Sequence, residues 1–466
     1  MLSYFKLNDP FRLVPLFVLV FLLKLPTFLS PVAYPDVYHW FTIGEAMQAN
    51  NSMYIDIWDG LAPFSATIYM VITWLFARSI LSLMLLGALL TFFQAIIINN
   101  FSIQAKLFEN NTYLPSLVYI LITSSHPAFF TLSPSLMGLT FILLGLGKLL
   151  SHVEFRAKQD LHIILIGLYF GFAPLFYLPF VIIIPIGLVL LALFSNTVLR
   201  RYLLLIITSI TPLIIAFFYY WLINDHPVYF IRNFLLIGYY DSYYLPVTWA
   251  NGSIILGFGA FFMIIGVLSF GKQRRLTNYQ YRIAQLFFVL GALLLFILLL
   301  EKPTTQYSLV IFIPVIVIFI VHLISLVRNI FFSSLLASLL FLGPPLLLWL
   351  ISHQYITDTS TTPDTPKIAN YKTIVKNKNI MVLGSAKDLY NEARLAGPFY
   401  DWGLSKSFFY KLDYYDNLVF LKAHFDKSRP EIIIDLENNW PSISKRLPSI
   451  SKQYHQIKPN VWVLIK

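Results

Sequence analysis

Long apolar runs recur along most of the chain, from Phe11 to Ile351. A helix that crosses the hydrocarbon core of a membrane takes about 20 predominantly apolar residues. With 58% hydrophobic and 12% charged residues, the composition also falls outside that of soluble domains. The sequence therefore predicts an all-α polytopic membrane protein. The first run, 13–29, is interpreted as a span rather than a cleaved signal, because no small-residue cleavage site follows it.

Eleven segments are predicted to span the membrane: 11–33, 81–99, 113–128, 136–150, 161–176, 178–195, 202–222, 253–270, 284–300, 305–327 and 330–351. Basic residues in the connecting loops alternate so that the N-terminus is cytoplasmic and the tail lies outside. The apolar segment 62–77 then begins and ends on the outer side, so it is predicted to be a juxtamembrane or re-entrant helix. Twelve spans with both ends inside fit the loop charges less well.

The net charge of +11 and the absence of cysteine limit the chemistry. The basic excess lies mainly in short loops and in the tail, which indicates topology and contact with anionic lipids rather than nucleic-acid binding. Without cysteine, disulfides, thiolate metal sites and cysteine nucleophiles are excluded.

The loop after the first span is acidic. Between residues 34 and 77 the chain carries Asp36, Glu45, Asp56 and Asp59, and neither Lys nor Arg, which favours an extracytoplasmic position. Asp36 stands where the span ends, a depth at which an ionisable group usually has a specific role. The alternative is an ordinary solvated acidic loop. Residues 37–49 have the apolar spacing of an amphipathic helix on the membrane surface.

Two further segments, 126–135 and 223–252, are predicted to face outside and, with 34–80, to cover a cavity at the outer face. The predicted domains are a transmembrane domain over 1–351, a polar linker over 352–370 and a soluble α/β domain over 371–466 on the outer face. In the last of these, the predicted strands are 379–383, 431–435 and 461–465, and the predicted helices lie near 386–396, 414–426 and 441–449. The sequence LGSAKD (383–388) lacks the second glycine of a phosphate-binding loop.

The stretch PDVYHW, followed by MYIDIWDGLAPFSATIYMVITWLFARS, places an acid directly after the first span, then a Tyr-rich stretch and a Pro-led helix. This order resembles the GT-C superfamily of membrane glycosyltransferases, and within it the aminoarabinose transferases and protein O-mannosyltransferases. The segment KPTTQYSLVIFIPVIVIFI (302–320) is similar to a late span of that family. The resemblance implies a GT-C-like fold and a polyprenyl-phosphate-linked sugar donor bound at the outer face.

The resemblance also implies roles for particular residues. Asp36 matches the first-loop acid, which acts as the base for the acceptor hydroxyl or orients it. Lys302 is the candidate cation for the leaving phosphate, with Arg232 and His126 as further candidates. Additional substrate contacts are assigned to Tyr38, Tyr54 and Asp56.

Each assignment has a structural alternative. Lys302 follows a glutamate at a span end, where an ion pair or a snorkelling side chain is common. Arg232 in an interfacial segment can contact lipid headgroups, and His126 can be an ordinary turn residue. Asp56 and Asp59 can be turn and cap residues.

The chain departs from the family pattern at three places. The second acid of the family, expected in the outer loop after the third span, is replaced by Ser133, Pro134 and Ser135. Val37 follows Asp36 where the family often has Glu, and no basic residue precedes Pro63. One carboxylate with water makes a poor site for a divalent cation, so no metal ligand is assigned, and a divalent-cation cofactor stays an unsupported alternative.

The predicted function is an inverting glycosyltransferase of the bacterial inner membrane, which moves a sugar from a polyprenyl carrier onto an envelope lipid, glycan or protein. The missing second acid keeps open a non-catalytic GT-C-like subunit of an envelope or secretion assembly. A transporter for lipid-linked sugars fits less well, because Lys24 and His322 are the only clear ionisable residues within spans and no internal repeat is apparent.

Overall fold

The computed structural model describes residues 2, 4–31, 34–154, 159–195, 197–224, 227–236, 248–270, 277–300, 306–327, 329–353, 355 and 366–465. The chain forms two compact units. The first unit comprises Met1–Val32, Ile80–Ile215 and Tyr244–Ser360, and the second comprises Ala33–Ser79, Ala216–Tyr243 and Thr361–Lys466.

The first unit is helical. Its helices are α1 (Leu13–Leu29), α4 (Ile80–Gln104), α5 (Leu114–Thr123), α6 (Pro134–Glu154), α7 (Asp160–Phe176), α8 (Ile183–Phe194), the first part of α9 (Leu199–Asn224), α11 (Trp249–Phe270), α12 (Asn278–Leu300), α13 (Ile313–Leu326) and α14 (Ile330–Ser352). Helix α5 is buried along its whole length and α13 along nearly all of it, as expected of helices that are hydrophobic all round.

Within the described residues, eight helices are long and apolar enough to span a membrane. They correspond to eight of the eleven predicted spans, and the prediction of a multi-pass helical membrane protein is confirmed. The other three, 113–128, 161–176 and 178–195, coincide with shorter apolar helices, Leu114–Thr123, Asp160–Phe176 and Leu178–Phe194. The number of eleven therefore stays a prediction.

Two helices of the second unit follow the first span in sequence, α2 (Pro35–Gln48) and α3 (Pro63–Phe76). Each begins with proline, whose missing N–H and fixed φ suit the first helical position. Helix α2 coincides with the amphipathic helix predicted over 37–49. Helix α3 has 14 residues, and at about 1.5 Å per residue it is shorter than a hydrocarbon core of about 30 Å.

Helices α2 and α3 pack closely at Gly44. A Cβ atom there would lie 2.7 Å from the Tyr69 carbonyl oxygen and 2.8 Å from Thr73 Oγ1, so only glycine permits this approach. The Trp40 and Tyr69 rings stack at 5.1 Å on the same interface. This contact fixes the orientation of α2 and of the side chains that it carries.

The tail of the second unit is the predicted α/β domain. Its sheet has the strands β1 (Asn379–Leu383), β2 (Arg394–Leu395), β3 (Ile432–Asp435), β4 (Tyr454–Lys458) and β5 (Val461–Leu464) in the order β2-β1-β3-β5-β4. Strand β1 is parallel to β2 and β3, whereas β5 is antiparallel to both β3 and β4.

The remaining helices of the second unit are α10 (Pro227–Phe230) with a π-helical turn (Ile231–Leu236), α15 (Pro366–Val375), α16 (Trp402–Phe409), α17 (Tyr415–Lys427), α18 (Trp440–Arg446) and α19 (Pro448–Ser451). The three predicted strands and the helix over 414–426 are present. The helix predicted near 441–449 occurs as two short helices, α18 and α19. Most of the predicted linker 352–370 lies outside the described residues.

The helix predicted over 386–396 is wrong. The segment forms a 3-10 turn (Lys387–Asn391) followed by strand β2, because Arg394 and Leu395 pair with Asn379 and Ile380 of β1. Strand β4 was missed because four of its five residues are exposed, so the strand lacks an apolar pattern.

Candidate functional site

The loop that joins α2 to α3 is held in a tight, irregular conformation. Tyr54 has a φ of 73°, a left-handed conformation that is rare for a bulky side chain. Its OH donates to the Leu61 carbonyl at 2.8 Å, its N–H donates to the Ile57 carbonyl at 2.9 Å, and its own carbonyl accepts from Asn233 Nδ2 at 2.7 Å. These hydrogen bonds stabilise the strained residue and fix the course of the loop.

Trp58, at the end of this loop, is a core residue of the C-terminal α/β domain. It is 2% exposed and packs with Phe399, Phe408 and Phe420. Its backbone N–H donates to the Pro398 carbonyl at 2.9 Å, and its backbone carbonyl accepts the Asp401 N–H at 3.2 Å. The next residue, Asp59, is thereby placed against the α/β domain.

Asp59 forms a buried pair with His39 of α2. His39 Nε2 lies 3.3 Å from Asp59 Oδ1, and the same oxygen accepts the Leu61 N–H at 2.7 Å. Burial alone would raise the pKa of Asp59, but the charges of His39 and Lys387 and the two hydrogen bonds outweigh it, so the pKa is lowered. Asp59 is therefore held as a carboxylate.

Lys387 is the lysine of this site and contributes a positive charge. Its Nζ lies 2.5 Å from Asp401 Oδ2 and 4.0 Å from Asp59 Oδ2, and 5.2 Å from the centroid of the Tyr400 ring. Asp401 also caps the N-terminus of α16 by accepting the Leu404 N–H. Because Lys387 already faces two carboxylates, the cluster is not suited to bind a further anion at this lysine.

Asp36 is the carboxyl group near this cluster that titrates near neutral pH. It lies in the first turn of α2, half-buried, one helical turn before His39. Burial raises its pKa from the ordinary 3.8 to about 7, and the positive charge of Lys387 opposes the shift. Near neutral pH this carboxyl group is present in both forms, which is the condition for efficient proton transfer.

The site thus contains two carboxyl groups whose surroundings shift their pKa values in opposite directions. One is held ionised and the other can exchange a proton near pH 7. Such a pair is typical of general acid–base sites. Within the described residues, no group of three or more His, Asp and Glu side chains could hold a metal ion.

Two of the residues assigned to substrate contacts lie in the same loop and make internal contacts. Tyr54 is fully buried, with the hydrogen bonds given above. Asp56 accepts the Ser52 N–H at 2.9 Å through Oδ2, and its Oδ1 lies 2.8 Å from Lys427 Nζ and 3.9 Å from His424 Nδ1. Asp56 therefore links the loop to α17.

The other predicted residues occupy different surroundings. Arg232 stands over the Trp58 ring at 5.7 Å and donates to the Leu404 carbonyl at 3.4 Å. Tyr38 is half-buried on α2, two residues from Asp36 and so on another face. His126 is buried in the first unit, where its Nδ1 accepts the Ala128 N–H at 3.1 Å. Lys302 lies outside the described residues.

Sequence reasoning singled out Asp36 but did not assign roles at the site to His39, Asp59 or Lys387. His39 was detectable, because a spacing of three residues places it on the same face of a helix as Asp36. The contribution of Lys387 comes from a residue about 350 positions away in the sequence, and no local pattern indicates it. The sequence contains one indirect indication of this lysine. The acidic loop has no basic residue of its own, so a cation beside its carboxylates has to come from another segment of the chain.

No protein-family model and no curated protein matches the chain. The structure is similar to two crystal structures of ArnT, an aminoarabinose transferase with the GT-C fold, from Cupriavidus metallidurans. With ArnT bound to undecaprenyl phosphate, the TM-score is 0.60 at 12% identity over 98% of each chain. With apo ArnT, the TM-score is 0.55 at 12% identity over 97% of each chain. The similarity establishes the fold, and the predicted GT-C-like architecture is confirmed.

Proposed function

We propose that the protein is an inverting glycosyltransferase that takes a sugar from a polyprenyl-phosphate-linked donor at the extracytoplasmic face of a bacterial inner membrane. The acceptor is an envelope lipid, glycan or protein. The observation that carries the proposal is the position of Asp36, in the first turn of α2 directly after the first span and one helical turn before the buried His39–Asp59 pair, where burial raises its pKa to about 7. The fold shared with a transferase crystallised with undecaprenyl phosphate supports it.

In the proposed reaction, the Asp36 carboxylate accepts the proton of the acceptor hydroxyl. The hydroxyl oxygen forms a bond to the anomeric carbon on the side opposite the phosphate, which inverts the configuration. The bond between the anomeric carbon and the phosphate oxygen breaks, and its electron pair leaves with the polyprenyl phosphate. Asp36 then releases its proton to water.

The neighbouring residues have supporting roles in this proposal. Asp59 stays ionised and orients His39, while Lys387 limits how far the pKa of Asp36 rises. A leaving phosphate needs cations or N–H donors of its own. Lys302, Arg232 and His126 remain the proposed candidates for that role.

The test compares a deletion strain of the organism that encodes the protein with strains complemented by wild type, Asp36→Asn or the control Asp413→Asn. Asp413 is an exposed residue of the α/β domain paired with Arg446. Mass spectrometry of envelope glycans and of extracted lipids reports the transfer. We expect the deletion and Asp36→Asn strains to lose one glycosyl increment and to accumulate polyprenyl-linked sugar, with Asp413→Asn behaving as wild type. Transfer at the wild-type rate in Asp36→Asn would refute the assigned role.

One observation favours a second candidate, a non-catalytic subunit of an envelope assembly. At the place of the family's second acid, Ser133 and Ser135 are fully buried. Their hydroxyl oxygens lie 3.1 Å apart, and Ser135 donates to the Tyr307 carbonyl at 2.8 Å. Identical glycan and lipid profiles in the wild-type, Asp36→Asn and deletion strains, together with a stoichiometric co-purifying partner, would support this candidate.

A further inference from the structure

Arg78, two residues after α3, uses its guanidinium group to join separate parts of the second unit. Nε donates to Glu45 Oε1 at 2.8 Å, and Nη2 donates to Glu45 Oε2 at 2.7 Å. This bidentate pair, the stronger geometry for an arginine and a carboxylate, connects the end of α3 to α2. Both side chains are largely shielded from solvent, with 20% and 28% exposure.

The remaining hydrogen bonds of Arg78 go to the C-terminal α/β domain. Nη1 donates to the carbonyls of Tyr390 and Asn391 at 2.8 Å and 2.6 Å, and Nη2 donates to the carbonyl of Ala393 at 2.8 Å. Tyr390 and Asn391 end the 3-10 turn that begins with Lys387. Arg78 therefore attaches to α2 the same short turn that carries the lysine of the candidate site.

We propose that Arg78 is a positioning residue. With Glu45, it fastens the Lys387-bearing turn of the α/β domain to α2, and so keeps Lys387 against the Asp59–His39 pair, one helical turn from Asp36. The inference rests on the proposed role of Asp36 as the base. Lysine at position 78 could not replace this link, because its single ammonium cannot form the fork to Glu45 and reach three carbonyls as well.

The charged groups on the elements packed against α2 define what Asp36 experiences. On α2 itself, His39 follows Asp36 by one turn and Glu45 lies farther along the helix, and the loop contributes Asp59. The turn contributes Lys387 and the half-buried Asp388, and strand β2 contributes the exposed Arg394. Helix α3 carries no Asp, Glu, Lys, Arg or His. Of these charges, that of Lys387 is the one that lowers the pKa of Asp36, so release of the turn should raise that pKa further.

The experiment measures the pKa of Asp36 in two ways. One is the acidic limb of the pH–rate profile of sugar transfer. The other needs no activity. For the wild type and for each variant, the free energy of unfolding is compared with that of the same protein carrying Asp36→Asn, and the pH dependence of the difference reports the pKa of Asp36. The variants are Arg78→Ala, the milder Glu45→Gln, Lys387→Met, and Arg78→Ala combined with Lys387→Met.

We expect Arg78→Ala and Lys387→Met to raise the pKa by the same amount, Glu45→Gln to raise it less, and the double variant to show no further increase. On the acidic limb, a rise of one unit lowers the rate tenfold. Arg446→Ala, which breaks the surface pair with Asp413, is the matched control and should leave the pKa unchanged.

An unchanged pKa in both Arg78→Ala and Glu45→Gln, with a shift in Lys387→Met, would overturn the inference and leave Arg78 a purely structural link. Additive shifts in the double variant would also overturn it, because residues that act through one another are not additive. If the wild type transfers no sugar but the stability titration shows the expected pattern, the proposed function fails and the positioning role stands.

Discussion

Replacing Asp36 with Asn should make the protein more stable above pH 7 while removing its proposed base. In the folded protein the pKa of Asp36 is about 7, compared with an ordinary value of 3.8. Since the folded state binds this proton more tightly than the unfolded state, the ionised carboxylate destabilises the fold. The cost is absent below about pH 4, grows between pH 4 and 7, and is complete above pH 7.

The magnitude follows from the size of the shift. Each pKa unit corresponds to about 1.4 kcal/mol, so a shift of about three units corresponds to about 4 kcal/mol. Asp36 is only half-buried, and solvent screening reduces this value. A carboxylate in the first turn of a helix also gains about 0.3–1 kcal/mol from the helix dipole, which asparagine loses. A net gain of about 2–3 kcal/mol for Asp36→Asn above pH 7 is therefore expected.

The assay is thermal or denaturant unfolding of the purified protein in detergent between pH 4 and 8.5. Wild type should lose stability relative to Asp36→Asn as the pH rises, and the two should converge near pH 4. Asp56→Asn is the matched control. It removes the ion pair between Asp56 Oδ1 and Lys427 Nζ, which lie 2.8 Å apart, so it is expected to lower stability where Asp36→Asn raises it. If Asp36→Asn were less stable than wild type at pH 8, the assignment of Asp36 as a carboxylate destabilised by desolvation would be wrong.

Three further substitutions test the packing around the site. Trp58→Ala should lower the free energy of unfolding by about 3–5 kcal/mol and increase protease cleavage in the α/β domain, because the ring belongs to its core. Gly44→Ala should cost about 1–3 kcal/mol, measured by thermal unfolding, because the new methyl group would meet the Tyr69 carbonyl at 2.7 Å. His39→Gln should raise the pKa of Asp59 and cost about 1.5–3 kcal/mol at neutral pH, less as the pH falls below 4, which a stability titration would report.

The sequence was informative where structure depends on local pattern. Continuous apolar runs predicted the span helices, and the apolar spacing of 37–49 predicted α2. Short apolar runs likewise predicted the buried strands, such as Asn379–Leu383. Local pattern gave the wrong result for 386–396, where pairing with an adjacent strand overrides the helical spacing of the side chains.

Only part of the candidate site could be predicted from local sequence patterns, because its charged residues come from distant parts of the chain. Asp36 could be identified from its position after the first span. Its environment depends on Lys387, which the fold brings to it through Trp58 and Arg78. In the loop sequence YIDIWDG, Asp56 and Asp59 accept local backbone N–H groups, as turn residues do. The loop also provides an anchor, Trp58, and Asp59 additionally pairs with His39, which the sequence did not indicate.

The acid that the GT-C resemblance predicts after the third span is missing, but the structure places a second carboxylate, Asp59, at the site. In the segment after the third predicted span, Ser133 and Ser135 offer hydroxyls in place of that acid, whereas the first loop and α2 supply the carboxyl groups of Asp59 and Asp36. His39 and Lys387 keep Asp59 ionised, while burial keeps Asp36 close to half-protonated at neutral pH. Two carboxyl groups with such different pKa values can have different roles: Asp59 holds a negative charge, and Asp36 can transfer a proton. Binding a partner does not require a carboxyl group that destabilises the fold when it is ionised, whereas proton transfer does require one that titrates near neutral pH, so Asp36 argues for chemistry at this site.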